Sequence, residues 1–405
     1  MSELRGVNIF SEIGRLRRVL LHRPGKELDN LTPSNMNRLL FDDIPEREAA
    51  AAEHDAFAEV FRSIGTEVVY FSDLLADILA DGDVRKALIN DFLAEARVHQ
   101  CARPPMFEFL FNMDDMDDLA SVLTAGLRTE DVSFNGDVFD ELDRRKPLWF
   151  DPMPNLYFTR DPMTAVGRNL SLNCMWAETR RRESLLVSYV SKHHPMFEGL
   201  EHYYNRCEGA TIEGGDILIL SPTVVAVGIS ERTEVDAVKM FARRVLSGDD
   251  GFEHVLAFFI PEKRAFMHLD TVFTMVDRDI FTVHPEIEGP LEIYDITLFD
   301  GDLRAKNMGG ELQDILKRYL NLSEVELIRC GGDSRIDAQR EQWNDGSNTL
   351  AIAPGEVIVY ERNYVTNRLL REAGVTLHEI PSSELSRGRG GPRCMSQPLW
   401  RDPVR

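Results

Sequence analysis

The sequence predicts an α/β protein assembled from a repeated unit of about fifty residues, with one helical insertion near its start. Three observations carry this reading. First, a polar residue recurs before a small apolar run in Asp161-Pro162-Met163-Thr164, Asp216-Ile217-Leu218-Ile219, Asp270-Thr271-Val272-Phe273, Asn348-Thr349-Leu350-Ala351 and Ser396-Gln397-Pro398-Leu399, at spacings of 55, 54, 78 and 48 residues. Second, most of these starts continue in the same order of hairpin, helix and strand, the mark of a repeat architecture. Third, between Leu74 and Arg145 apolar residues fall at helical spacing, as in Leu88, Phe92, Leu93 and Ala96, and β-branched alternation nearly vanishes.

In chain order, Arg17-Arg18-Val19-Leu20-Leu21 reads as the first strand, residues 49–62 as a helix, and Thr66-Glu67-Val68-Val69-Tyr70-Phe71 as the second strand. Residues 74–146 are expected to form an inserted α-helical domain, leaving 1–73 and 147–405 as the catalytic body. The acidic run Asp114-Asp115-Met116-Asp117-Asp118 lacks the Asp-x-Asp-x-Asp-Gly order of a calcium loop and reads as a solvated face. One clear repeat has a hairpin over 216–228, a helix over 231–246 and a strand over 254–260; another has them over 348–360, 366–373 and 375–380. If such units close into a ring, their polar starts line one central cavity.

Composition narrows the possible partners. The chain has 405 residues, 43% hydrophobic and 28% charged, enough for a large core in an ordinary globular protein. Its 46 basic and 68 acidic residues leave a net charge of −22, which opposes nucleic acid or an anionic membrane and favours a small cation. No signal-peptide core or membrane-spanning stretch is legible, so a cytoplasmic location is expected. Cys101, Cys174, Cys207, Cys330 and Cys394 are odd in number, scattered, and never spaced Cys-x-x-Cys, so neither a disulfide framework nor a structural zinc site is expected.

The chemistry lies in the residues at the repeat starts: Asp161, Glu213 with Asp216, His268 with Asp270, and Cys394 at the last. A thiol, an imidazole and several carboxylates are the parts for covalent attack with proton shuttling on a cationic substrate. A guanidinium fits best, because its planar fork of N–H donors is held bidentately by paired carboxylates; Asp161 and Asp270 are the expected clamp. Cys394 follows Arg389-Gly390-Gly391-Pro392-Arg393, and the two arginines are expected to favour its thiolate. Glu213 stands beside Gly214-Gly215, where a ligand can approach the backbone. Met267-His268-Leu269-Asp270 is expected as a strand that puts His268 and Asp270 on one side. The glycine-rich run 387–391 is followed by neither a helix nor Gly-Lys-Ser/Thr, so it reads as a mobile loop over the site rather than a phosphate cradle. Two other readings stay open at this point: a metal-dependent hydrolase with Glu213, His268 and Asp270 as ligands, and a protein that binds guanidino compounds without turning them over.

A wider set of motifs runs end to end: Leu31-Thr32-Pro33-Ser34-Asn35, Leu39-Leu40-Phe41-Asp42-Asp43, Asn155-Leu156-Tyr157-Phe158-Thr159-Arg160-Asp161-Pro162, Glu213-Gly214-Gly215-Asp216, Gly228-Ile229-Ser230-Glu231-Arg232-Thr233, Met267-His268-Leu269-Asp270 and Cys394-Met395-Ser396. By these the chain resembles the arginine deiminases of the guanidino-group-modifying superfamily. The resemblance implies a five-bladed pseudo-fivefold α/β-propeller, the pentein fold, with an inserted helical bundle domain. It implies hydrolysis of free L-arginine to L-citrulline and ammonia, no metal or organic cofactor, and a homo-oligomer, dimer or larger. It assigns Cys394 as nucleophile, His268 as proton shuttle, Glu213 as its acidic partner, and Asp161 and Asp270 as guanidinium ligands. It further implies Arg180 and Arg232 for the substrate carboxylate, Asn155, Phe158, Leu40 and Asp43 around the amino end and aliphatic stem, and Arg389 with Gly388 in the loop that gates the pocket. In Thr179-Arg180-Arg181-Arg182 any of the three arginines could be the one that points inward. Agmatine deiminase is the nearest alternative, and it has no substrate carboxylate to bind. Dimethylarginine hydrolases and amidinotransferases fit less well, given the insertion and the Leu-Leu-Phe-Asp-Asp motif.

Overall fold

Five sheets repeat one pattern, an antiparallel strand pair continued by a parallel third strand. The structure, a computed structural model, describes residues 6–132, 145–261, 266–287 and 291–404. The first sheet pairs Gln397–Arg401 antiparallel with Leu16–Leu21, which runs parallel to Glu67–Tyr70, so both ends of the chain build it. The second joins Met163–Val166, Asn169–Leu172 and His202–Tyr204. The third joins Ile217–Ser221, Val224–Ile229 and His254–Phe259. The fourth joins Phe273–Met275, Ile280–Val283 and Glu326–Arg329, and the fifth Leu350–Ala353, Glu356–Tyr360 and Thr376–Ile380.

Each parallel pairing needs a crossover, because a tight turn can only reverse the chain. The helices Arg47–Ser63, Arg181–His193, Val235–Ser247, Leu312–Leu320 and Tyr364–Glu372 lie in those connections. The one long spacing, 78 residues, has a visible cause. A hairpin of Ile293–Phe299 and Asp302–Asn307 adds to the edge of the third sheet, and a second helix, Arg335–Trp343, precedes the fifth.

Boundaries differ from the sequence reading where a side chain captures the backbone. The helix expected from residue 231 starts at Val235, because Ser230 and Thr233 turn their hydroxyls onto the Asp216 carboxylate, at 2.7 and 2.6 Å. Phe71 begins a helix, Phe71–Leu79, instead of ending a strand. Three more helices follow, Gly82–Glu95, Arg103–Phe111 and Met116–Ala125. Part of the acidic run is a cap: Asp115 accepts the N–H groups of Asp117 and Asp118, satisfying donors that a helix start leaves open. Leu75, Leu88, Phe92 and Leu119 share one buried cluster with Leu186, Val225 and Val255, so these helices and the second and third sheets have a common core. The expected insertion also covers residues 133–144, which lie outside the described residues.

Candidate active site

Cys394 sits in the turn before the last strand, 4% exposed and packed with Tyr157, Phe158 and Met395. Asn348, at the start of the fifth sheet, fixes that turn. Its Oδ1 accepts the N–H groups of Arg393 and Cys394 at 3.0 and 3.1 Å, and its Nδ2 donates to the Asp270 carbonyl at 3.0 Å. The turn passes so close to Asn348 that a Cβ on Gly391 would stand 2.8 Å from it, which only glycine avoids. Sγ lies 3.7 Å from Asp270 Oδ2.

The thiol is not activated as its sequence neighbours imply. Burial, with the charges of Asp270, Asp161 and Asp345, pushes its pKa well above the ordinary value. Arg393 neither tunes the sulfur nor faces solvent. It is 1% exposed, and its guanidinium donates to Asp270 Oδ2 at 2.8 Å, Glu12 Oε2 at 3.0 Å and the Ile217 carbonyl at 2.8 Å. Arg389 is engaged by Asp42 and Trp343.

His268 and Glu213 form a buried pair, Nε2 to Oε2 at 2.8 Å. Burial disfavours a charged imidazole, but Asp161, the Glu213 hydrogen bond and Asp216 outweigh it and raise the His268 pKa to about 9. Burial likewise opposes ionised Glu213, yet Arg232, His268 and Arg180 bring it down to about 2. Glu213 also accepts the Trp176 N–H at 3.0 Å. The expected strand through His268 and Asp270 is instead a 3-10 turn, Leu269–Thr271, pinned where Asp216 accepts the Leu269 N–H at 2.8 Å. The turn still delivers His268 toward Asp161 and Asp270 toward Cys394.

The two carboxylates expected as a clamp are each held by an internal arginine. Asp161 Oδ2 accepts from Arg180 Nη1 at 2.7 Å, and Asp270 Oδ2 from Arg393 Nη1 at 2.8 Å. Asp161 Oδ1 is buried with no hydrogen-bond partner, 3.9 Å from His268 Nδ1, and Asp270 Oδ1 lies 3.9 Å from Cys394 Sγ. An unsatisfied buried acceptor costs about 1–3 kcal/mol, so the open oxygen of Asp161 calls for a hydrogen-bond donor.

Of the three consecutive arginines, Arg180 reaches the site. It binds Asp161 and, through Nε and Nη2, Glu183 at 3.0 and 2.9 Å, while Arg182 donates to the Asp151 carbonyl and Arg181 is exposed. Arg232 lies 3.4 Å from Glu213 and packs on the Trp176 ring at 5.0 Å, with its buried Nε unpartnered. Asn155 is buried and donates to the Leu39 carbonyl at 2.7 Å, next to half-buried Leu40, whose φ of 67° marks a left-handed turn. Phe158 backs the glycine loop, where a Cβ on Gly390 would stand 2.3 Å from its ring and one on Gly388 would meet Tyr157 Oη. Asp43 is exposed and its carboxylate is taken by Arg387.

Asp161, Glu213 and His268 present ligand atoms within 4.8 Å of one another, a different trio from the one the sequence put forward for a metal. Arg180 and Arg232 already stand 3.8 and 3.4 Å from Glu213, so two guanidinium charges oppose a dication there. Asn348, Glu183 and Asp345 are the site residues that sequence reasoning gave no role. Only Asn348 carried a signal, its place in the repeat register.

The model of the family described as arginine deiminase matches residues 37–401. An arginine deiminase of Clostridium perfringens is 51% identical over the full length of both chains, and one of Streptococcus agalactiae 48% over the same extent. Among solved structures, a dimethylarginine dimethylaminohydrolase adduct with S-methyl-L-thiocitrulline superposes with a TM-score of 0.53 at 14% identity, covering 94% of this chain and 99% of that one. The N-terminal domain of ArgZ, covalently bound to a reaction intermediate, gives 0.55 at 14% identity, covering 96% and 98%. At such identities these likenesses speak for an α/β pentein fold.

Proposed function

The chain belongs to the arginine deiminase family, and from that premise we propose that it hydrolyses free L-arginine to L-citrulline and ammonia, with Cys394 as nucleophile. One observation supports the site assignment above the others. Asp161 has one oxygen held by Arg180 and the other buried without a hydrogen-bond partner, while Asp270, held by Arg393, has its two oxygens 3.9 and 3.7 Å from Cys394 Sγ. A guanidinium laid between the two carboxylates satisfies the open Asp161 oxygen and presents its central carbon to sulfur.

The raised thiol pKa makes ionisation depend on the substrate. The same carboxylates that disfavour a thiolate are neutralised when the cation arrives, and the S–H proton passes to the water that the entering cation displaces, and so to solvent. The thiolate then forms the S–C bond. His268, protonated at neutral pH, gives its proton to the departing nitrogen, the C–N bond breaks, and ammonia leaves an S-alkylthiouronium on Cys394. Neutral His268 then takes a proton from water as its oxygen attacks, and the second adduct collapses: the S–C bond breaks, the hydroxyl proton passes to sulfur, and citrulline leaves with the thiol restored. Ionised Glu213 holds the imidazole and supports its charge. Arg180 and Arg232 are assigned to the substrate carboxylate, Asn155, Phe158, Leu40 and Asp43 to the amino end and stem, and Gly388 and Arg389 to the covering loop.

The same proposal places the five sheets as blades around this cavity, with 74–146 as a helical insertion, in a cytoplasmic homo-oligomer. Among the described residues no helix is long and apolar enough to cross a membrane. The test is citrulline formation from arginine, agmatine and methylated arginines side by side, with Cys394→Ala as control. Arginine alone should be turned over well, and the variant should be inactive while still folded. Equal rates on agmatine, or an active Cys394→Ala, would sink the assignment.

A further inference from the structure

Arg389 is held in a way that its place in a glycine-rich loop does not explain. Its φ is 65°, a left-handed conformation unusual for a residue with a side chain, and its side chain is only 6% exposed. Two groups contact it. Its guanidinium carbon lies 3.6 Å from the centre of the Trp343 ring, a close cation–π stack. Nη1 donates to Asp42 Oδ2 at 3.3 Å. A further carboxylate, Asp345, is 4% exposed and itself in a left-handed conformation with φ of 57°. Burial drives the Asp345 carboxyl up to about 7, and the charge of Arg389 is the strongest influence pulling it back.

Two orphaned atoms complete the picture. Asp345 Oδ2 and Arg389 Nε are both buried without a hydrogen-bond partner. Two buried side-chain residues in left-handed conformations are strain that the surrounding structure must sustain. Trp343 is 48% exposed, so its ring is kept at the surface with one face covered by Arg389. Core packing gives no reason for that exposure.

We infer that Trp343, Asp42 and Asp345 form a seat for the Arg389 guanidinium that holds the 387–391 loop closed over the Cys394 pocket. Trp343 provides the platform, Asp42 the outer edge and Asp345 the inner charge; all three are positioning residues that act through the loop. The inference rests on the proposed arginine hydrolysis for its kinetic reading, and on loop dynamics independently of it.

A cation–π contact of this kind is worth about 0.5–2 kcal/mol, which converts to a change of roughly 2- to 30-fold in the closed-to-open ratio of the loop. Trp343→Leu should raise KM for arginine by that factor and leave kcat within about twofold, because the chemical groups are untouched. Trp343→Phe keeps a platform and should stay close to the parent protein; Asp42→Asn should raise KM by a smaller factor. Hydrogen exchange at backbone amides of residues 387–391, measured in the full chain without substrate, should speed up by a similar factor in Trp343→Leu and not in Trp343→Phe. Unchanged exchange and KM in Trp343→Leu, or an equal effect from Leu and Phe, would overturn the seat. If the parent protein made no citrulline, the function would fail while the exchange measurement still decided the seat.

Discussion

Replacing Glu213 with glutamine tests the proton shuttle without changing its shape. The His268–Glu213 hydrogen bond is 2.8 Å long, joins a buried imidazole to an ionised carboxylate, and belongs to a site sealed from water. A charged hydrogen bond of this kind contributes about 1.5–3 kcal/mol, and one pKa unit is about 1.4 kcal/mol, so its loss should lower the His268 pKa by about one to two units. From about 9 in the parent protein, the imidazole would then titrate near 7–8. In the proposed mechanism its charged form is the acid that protonates the leaving nitrogen, so the alkaline loss of activity should set in at lower pH. The assay is kcat for citrulline formation across the pH range. The alkaline limb should move down by about one to two units in Glu213→Gln, with a far larger loss above pH 8 than near pH 6. Stability should follow the same sign. His268 has a folded pKa raised above the unfolded 6.5, so its contribution is complete below 6.5 and is lost as pH rises through 9; it is on the order of 3 kcal/mol. The variant should therefore lose part of the extra stability held at neutral pH. A kcat that falls uniformly, with the alkaline limb in its original place, would refute this use of His268.

Three further outcomes follow from the buried charges. Arg393→Met strands Glu12 and Asp270 in the interior and should cost about 3–5 kcal/mol in denaturant unfolding, with part recovered by adding Glu12→Leu; equal stability of Arg393→Met and the parent would remove its structural role. At neutral pH a cationic amidine-bearing electrophile should alkylate Cys394 at least about tenfold faster than a neutral one with the same leaving group, because Asp161, Asp270 and Asp345 suppress the thiolate until positive charge enters; mass spectrometry of the labelled peptide would show otherwise if the rates matched. His54 is fully buried, both ring nitrogens lack partners, and burial lowers its pKa to about 3, so the unfolded chain binds an extra proton between 6.5 and 3 and stability falls as pH drops through that window. The loss approaches on the order of 4–5 kcal/mol, and His54→Leu should flatten the acid limb of the unfolding free energy measured from pH 6.5 to 4.

Much of this molecule is written in local order along the chain. The five polar starts announced the sheets that follow them, since a turn-forming polar residue before a short β-branched run acts within a few residues. The chain alone also named Cys394, His268, Glu213, Asp161 and Asp270, because their chemistry is carried by residue type and by motifs contiguous in sequence. It could not say where each charge would point. Arg393, one residue from the thiol, binds Glu12 at the other end of the chain and so orients Asp270; Arg180 does the same for Asp161. Asn348, 46 residues from Cys394, sets its backbone. The raised thiol pKa depends on three carboxylates drawn from three separate segments and on the exclusion of water, and neither burial nor through-space charge has any local signature. Sequence thus determined which groups are available and in what repeating frame they are presented. Tertiary structure alone decided their protonation and which oxygen of Asp161 is left without a partner, because electrostatic energies in a dry interior depend on distances that only the folded chain defines.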